Sequence, residues 1–70
     1  MNRTPVSSSN LASVGFDTLS GTLEVEFHSG TVYRYFQVPR YMFDGLMAAS
    51  SKGSYFAENI RDGFQFQRVI

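Results

Sequence analysis

By residue type, Tyr33-Arg34-Tyr35 is the segment of this chain best suited to chemistry. Two tyrosines two positions apart on a strand present their rings to one face, where successive bases of a single-stranded nucleic acid could stack while a neighbouring arginine meets phosphate. Glu24, Glu26 and His28 form a second set. At i, i+2 and i+4 on a strand they share a face at ~6.6–6.8 Å per step. A zinc ion needs all its donors at ~2.0–2.2 Å, so a neighbouring strand would have to add ligands. The expected neighbours, Val32 and Arg34, offer none, and a solvated strand face is the favoured reading. Lys52-Gly53-Ser54 has the look of the end of a phosphate-binding loop but lacks its leading glycine and strand. A serine, His28 and an aspartate could be drawn as a hydrolytic triad, yet no nucleophile elbow is present. No catalytic residue, metal or cofactor is expected, and the chain reads as a non-enzyme.

These side chains must be positioned by a small frame. The chain has 70 residues, no Cys and one His. A single domain of this size buries only ~60% of the surface its unfolded chain exposes. Disulfides are excluded and a zinc staple is not available. The seven Phe and four Tyr must therefore supply much of the burial, at ~150–250 Å² each. Acidic and basic residues balance, with a slight acidic excess before residue 30 and a matching basic excess after it. Without a polybasic run, strong non-specific attachment to nucleic acid or anionic membrane is not expected. No apolar run reaches the ~20 residues of a membrane-spanning helix. Met1 to Asn10 lacks the apolar core of a secretory signal, and a cytoplasmic protein with no membrane partner is expected.

Residues 1–9 read as a flexible leader, with a grip near Val6, and residues 10–70 as one domain. A strand is expected over Leu11 to Asp17, with Ala12, Val14 and Phe16 on one face. Thr22 to His28 is the clearest strand, with Leu23, Val25 and Phe27 on one side and Glu24, Glu26 and His28 on the other. The returning strand begins at Val32. A two-residue loop would put Arg34 opposite Val25 on the apolar face. A three-residue loop, His28-Ser29-Gly30 with Gly30 left-handed, puts Tyr33 opposite Val25, Tyr35 opposite Leu23 and Arg34 opposite Glu24. A slip of one residue flips every side chain, so the face pattern and the Glu24–Arg34 pair choose the three-residue loop.

Val38-Pro39 closes the hairpin, with Pro39 placed at the first position of a helix. The spacing of Phe43, Leu46 and Met47 predicts a helix over Arg40 to Ala49. Gly45 inside it costs ~1 kcal/mol relative to Ala, which points to close packing against another element. Gly53 reads as the turn between helices, Ser54 as the N-cap of a second helix to Asp62, and Gly63 as its stop. Phe64 to Ile70 alternates as a last strand. The expected fold is α+β: an antiparallel sheet of three or four strands in the order β-β-β-α-α-β, with two short helices on one face.

From Ser8-Ser9 to Phe66 the chain resembles the KTSC domain family, named for a domain at the C-terminus of some lysyl-tRNA synthetases and also found as short stand-alone bacterial chains. The resemblance rests on Val14-Gly15-Phe16-Asp17, Leu23-Glu24-Val25-Glu26-Phe27, Gly30, Tyr33-Arg34-Tyr35 and Val38-Pro39. It continues through Phe43, Leu46, Ala49, Ser51, Gly53, Phe56 and Ile60. The chain departs from it at Phe16 and at Phe64-Gln65-Phe66, where the resemblance leads one to expect tyrosines. It implies no established activity, and RNA binding only by association with the synthetase.

Two functional readings follow. In the first, Arg34, Phe36, Arg40, Lys52 and Arg61 gather into one patch that binds RNA. In the second, Val32 and Phe36 on the outer sheet face contact a protein partner or a second copy of the chain as a dimer. Tyr33 and Tyr35, with Pro39 and Gly53, are expected to be framework: both rings belong on the only face apolar enough to receive the helices.

Overall fold

The computed structural model describes all 70 residues. Five strands, β1 (Thr4–Pro5), β2 (Leu11–Asp17), β3 (Thr22–Phe27), β4 (Val32–Tyr35) and β5 (Phe66–Arg68), and two helices, α1 (Arg40–Ala48) and α2 (Lys52–Asn59), follow in the order β-β-β-β-α-α-β. The strands form one antiparallel sheet in sequence order, β1-β2-β3-β4-β5. The α+β architecture is as expected, with one strand more, because the N-terminal stretch read as a leader contributes β1 at the edge of β2. Val6 donates its N–H to the Ala12 carbonyl at 3.1 Å.

The β3–β4 hairpin has the three-residue register. Leu23 faces Tyr35, Glu24 faces Arg34, Val25 faces Tyr33 and Glu26 faces Val32. Gly30 supplies the left-handed residue with φ +94°. Its N–H bonds to the Phe27 carbonyl while the Phe27 N–H bonds to Thr31, both at 2.9 Å, as in a turn closed by a glycine bulge. The β2–β3 turn is tied by Asp17, whose carboxylate accepts from the Leu19 N–H and the Ser20 hydroxyl, each at 3.0 Å. Those bonds, the Leu19 N–H first, hold the Asp17 carboxyl below its ordinary value.

Strand β2 departs from simple alternation. Its pairing with β3 shifts between Leu11 and Ser13, and this bulge brings Leu11, in place of the expected Ala12, to the inner face with Val14. Leu11, Val14, Leu23, Val25, Tyr35, Val38, Leu46, Phe56 and Ile60 form the core. Both helices therefore pack on the inner face, α1 through Leu46 and α2 through Phe56. Phe43 of α1 stacks on Phe16 of β2 at 4.8 Å and 8°.

The helix boundaries correct the sequence reading at three residues. Pro39 sits one position before α1 in extended backbone (φ −63°, ψ 148°), as its N-cap. Helix α2 starts at Lys52, capped by Ser51, whose side chain accepts the Ser54 N–H. Ser54 is thus the donor to the cap and not the cap itself. Gly53 lies inside the first turn of α2, not in a turn between helices. A Cβ there would lie 3.1 Å from the Asn10 amide nitrogen, so Gly53 admits the Asn10 side chain against the helix. Gly45 has the close packing its position implied: a Cβ on it would collide with the hydroxyl of Tyr55 from α2.

Candidate functional site

The alternation of β3 and β4 sends Phe27, Tyr33 and Tyr35 to the inner face, where α2 adds Phe56 and β5 adds Phe66. The five rings form a continuous network. Phe27 meets Tyr33 edge-on at 5.9 Å and Phe56 at 5.6 Å; Tyr33 meets Phe66 at 5.6 Å and 88°; Tyr35 meets Phe56 at 5.4 Å and Phe66 at 5.5 Å. These are the edge-to-face and tilted geometries that aromatic quadrupoles favour. The helices cover this network only in part. Tyr35 is 3% exposed, whereas Phe66 is 56% exposed. An open groove of about 650 Å³ remains, with Phe27, Tyr33, Phe56 and Phe66 in its wall and Asn10, His28, Arg61 and Asp62 at its rim. Burial, together with the neighbouring Tyr33, raises the Tyr35 phenol above its ordinary value of 10.0.

The outer face is organised around Glu24. Its carboxylate accepts from Arg34 Nε at 2.8 Å and from Arg3 Nη1 at 2.6 Å, and the residue is 4% exposed. Burial by itself would raise this carboxyl; the hydrogen bonds from Arg34 and Arg3, with their charges, outweigh it and hold the group below its ordinary value of 4.5. Arg3 also donates from Nε to the Ser13 hydroxyl at 3.0 Å, and that hydroxyl donates to Glu26 at 2.7 Å. His28 lies 2.8 Å from the Ser8 carbonyl through Nε2, the donor geometry of an Nε2-protonated ring. Each member of the Glu24–Glu26–His28 set is thus paired within the protein. Residues 1–3 lie across β2, where a Cβ on Gly15 would stand 2.7 Å from the Asn2 carbonyl oxygen.

The basic residues expected to form one patch are distributed instead. Arg34 and Phe36 share an outer-face depression of about 600 Å³ with Met1 and Asn2. Arg61 is at the rim of the aromatic groove on the other face. Lys52 borders a third depression among Ser7, Ser8, Ser9, Ser50 and Ser51, with its Nζ donating to the Ala49 carbonyl at 3.1 Å. Arg40 lies on the exposed first turn of α1, 3.7 Å from Asp44. Val32 is not the exposed contact it was expected to be. It is 1% exposed, because the chain continues past β5 alongside it: Val69 donates its N–H to the Val32 carbonyl at 2.7 Å. Phe36 is half-buried.

Sequence reasoning missed Arg3, Phe66 and the groove. A signal for Arg3 was present. A glycine inside a strand marks close approach by another backbone, and Gly15 is where the N-terminal arm crosses. No comparable local signal exists for the groove, which depends on how far the helices reach over the sheet.

The family is settled by comparison with known proteins. The KTSC domain model matches residues 7–64, and the chain belongs to the KTSC domain family. It is 45% identical over 56 residues to an uncharacterised protein of Stutzerimonas stutzeri, covering 80% of this chain and 79% of that one. It is also 39% identical over 54 residues to a lysine–tRNA ligase of Trichormus variabilis, a match covering 77% of this chain but 10% of that protein. The crystal structure of a KTSC domain protein from Yersinia pestis superposes with a TM-score of 0.96 at 35% identity, covering 99% of this chain and 97% of the other. No helix is long and apolar enough to cross a membrane.

Proposed function

We propose that this KTSC domain is a non-catalytic binding module that takes single-stranded RNA in the aromatic groove of its inner face, not through the outer-face arginine. The observation that carries this reading is the half-open ring network of Phe27, Tyr33 and Phe66 beside Arg61. Every base has a π-face, so exposed rings on strands bind single strands without needing a fixed sequence. The guanidinium at the rim is placed for a phosphate or for stacking on a base. Arg34 is less suited because the buried Glu24 holds it at 2.8 Å on the other face of the sheet, whereas the Arg61–Asp62 approach is longer, at 3.8 Å, and lies between exposed side chains. Likeness to a segment of a lysine–tRNA ligase is consistent with an RNA ligand. The alternative outer-face protein contact loses its anchor with Val32 buried.

Few cations border the groove, so stacking supplies most of the affinity. Each neutralised phosphate contributes a slope of about −0.7 to log K against log salt on single strands, and with Arg61 as the one arginine or lysine lining the groove a total slope of about −0.7 is expected. Fluorescence anisotropy of labelled mixed-sequence single-stranded RNA, titrated at several salt concentrations, tests this. Phe66→Ala should weaken binding by ~5- to 150-fold, the equivalent of ~1–3 kcal/mol of stacking, while Arg34→Ala leaves it nearly unchanged. No saturable signal at any salt, or loss through Arg34→Ala alone, would overturn the reading.

A further inference from the structure

The two edges of the sheet are unequal. Strand β1 has two residues, one of them Pro5, and so offers little ladder to an incoming strand. Strand β5 carries no proline or lysine, and its three residues are all exposed. Phe66, Val69 and Ile70 are large apolar residues in the open at this edge.

The pattern of hydrogen bonds identifies the free groups. The Gln65 carbonyl accepts from Phe36 N–H at 2.9 Å, and Val69 N–H donates to Val32. Gln67 is paired with Arg34 between them. In an antiparallel strand the inward and outward bonding residues alternate. The N–H and C=O groups of Phe66 and Arg68 therefore point away from β4, at the edge.

We propose that this edge is an interface with a second copy of the chain, in which the two β5 strands pair antiparallel about a two-fold axis at Gln67. This register is selected by the residues themselves. Outward-bonding positions must face one another, so the axis falls at Phe66, Gln67 or Arg68. An axis at Arg68 opposes two like charges, which destabilises a cross-strand pair. An axis at Phe66 leaves the outward groups of Arg68 facing the turn before β5. With the axis at Gln67, Phe66 of each copy faces Arg68 of the other. All eight outward groups are then used in four hydrogen bonds, and each guanidinium lies beside an aromatic ring. Arg68, the charge that otherwise guards the edge and here donates Nε to the Ile70 carbonyl at 2.9 Å, becomes a partner in that register. The contact is isologous and closes on itself. Paired residues of an antiparallel ladder point to the same side, so both aromatic grooves open on one face of a ten-stranded sheet.

An edge of this length buries little area, placing it among the smaller interfaces, below about 1,200 Å². Association is therefore expected at roughly tens to hundreds of micromolar. Sedimentation equilibrium from micromolar to millimolar concentration should show the mass rising from one chain toward two. Arg68→Pro removes an N–H that the chain's own sheet does not use, so the circular dichroism spectrum should be kept and the mass should stay that of a monomer at every concentration. The chain has no cysteine, which makes a second test clean. Gln67→Cys, on the axis, should oxidise to a disulfide-linked dimer at least tenfold faster than Glu58→Cys on α2. A wild-type chain that stays monomeric to millimolar concentration overturns the inference. So do an Arg68→Pro variant that associates as well as wild type and a Gln67→Cys variant that cross-links no faster than Glu58→Cys. None of these outcomes depends on the ligand of the groove.

Discussion

At the scale of single residues the outer face turns on one buried carboxylate. Glu24 is held by two arginines whose side chains are 28% and 44% exposed. Removing one partner of a fully buried pair costs about 3–5 kcal/mol. Solvent screening of these arginines reduces that, and Glu24→Gln is expected to lose about 1–3 kcal/mol at pH 7 in chemical denaturation. The pH dependence has a definite sign. The folded carboxyl lies below its ordinary value of 4.5, so its stabilisation is present above the unfolded value and is lost as pH falls through the folded one. Asp17 is shifted the same way. Thermal melts between pH 6 and pH 2.5 should therefore show Tm falling below about pH 4.5, with a smaller fall in Glu24→Gln. An equal fall in both proteins would show that other carboxylates dominate. On the alkaline side, the raised Tyr35 phenol makes stability decline as pH rises past the unfolded tyrosine value of ~10.

Among the elements, the helix pair is set by a glycine and a tyrosine. Gly45 lowers the intrinsic stability of α1, yet Tyr55 of α2 occupies the space a Cβ would need, and its hydroxyl donates to the sulfur of Met42 at 3.4 Å. Gly45→Ala is expected to destabilise the wild type by about 1–3 kcal/mol through overpacking. In a Tyr55→Ala background the same change should stabilise by up to ~1 kcal/mol, the helix-propensity difference. A double-mutant cycle of urea midpoints reads this, and additive effects would show that the two residues do not compete for space. The hairpin register and the need for a small residue at position 45 were legible in the sequence, because face patterns and propensity conflicts are local. The start of α2 was not. Ser51 and Ser54 are both competent caps, and local pattern does not choose between them; in the fold Ser51 takes the role, and Gly53 in the first turn packs against Asn10, 43 positions earlier in the chain.

For the molecule as a whole, size governs what it tolerates. A domain of 70 residues has a stability of about 4–10 kcal/mol at ~0.05–0.15 kcal/mol per residue. Leu46 is the single fully buried residue of α1. Truncating it to Ala should cost ~2–5 kcal/mol, enough to bring a marginal domain close to its unfolding midpoint at room temperature. Circular dichroism melts would show a transition lowered by about 8–40 °C, at ~4–8 °C per kcal/mol for so small a domain; a shift of only two or three degrees would place the weight of the core elsewhere.

Periodicity and turn chemistry alone determined the hairpin and its register, the α+β class, and the inner-face placement of Tyr33 and Tyr35. These follow from interactions between residues close in sequence or directly opposite on a strand. Only the tertiary structure decided that Arg3 reaches Glu24 across 21 positions. It alone decided that Val69 and Ile70 pair with Val32, that a bulge brings Leu11 inward in place of Ala12, and that the helices leave part of the aromatic face open. Coverage of a face is set by whichever distant segment packs there. That choice follows from shape and charge summed over the whole chain, which no local pattern encodes.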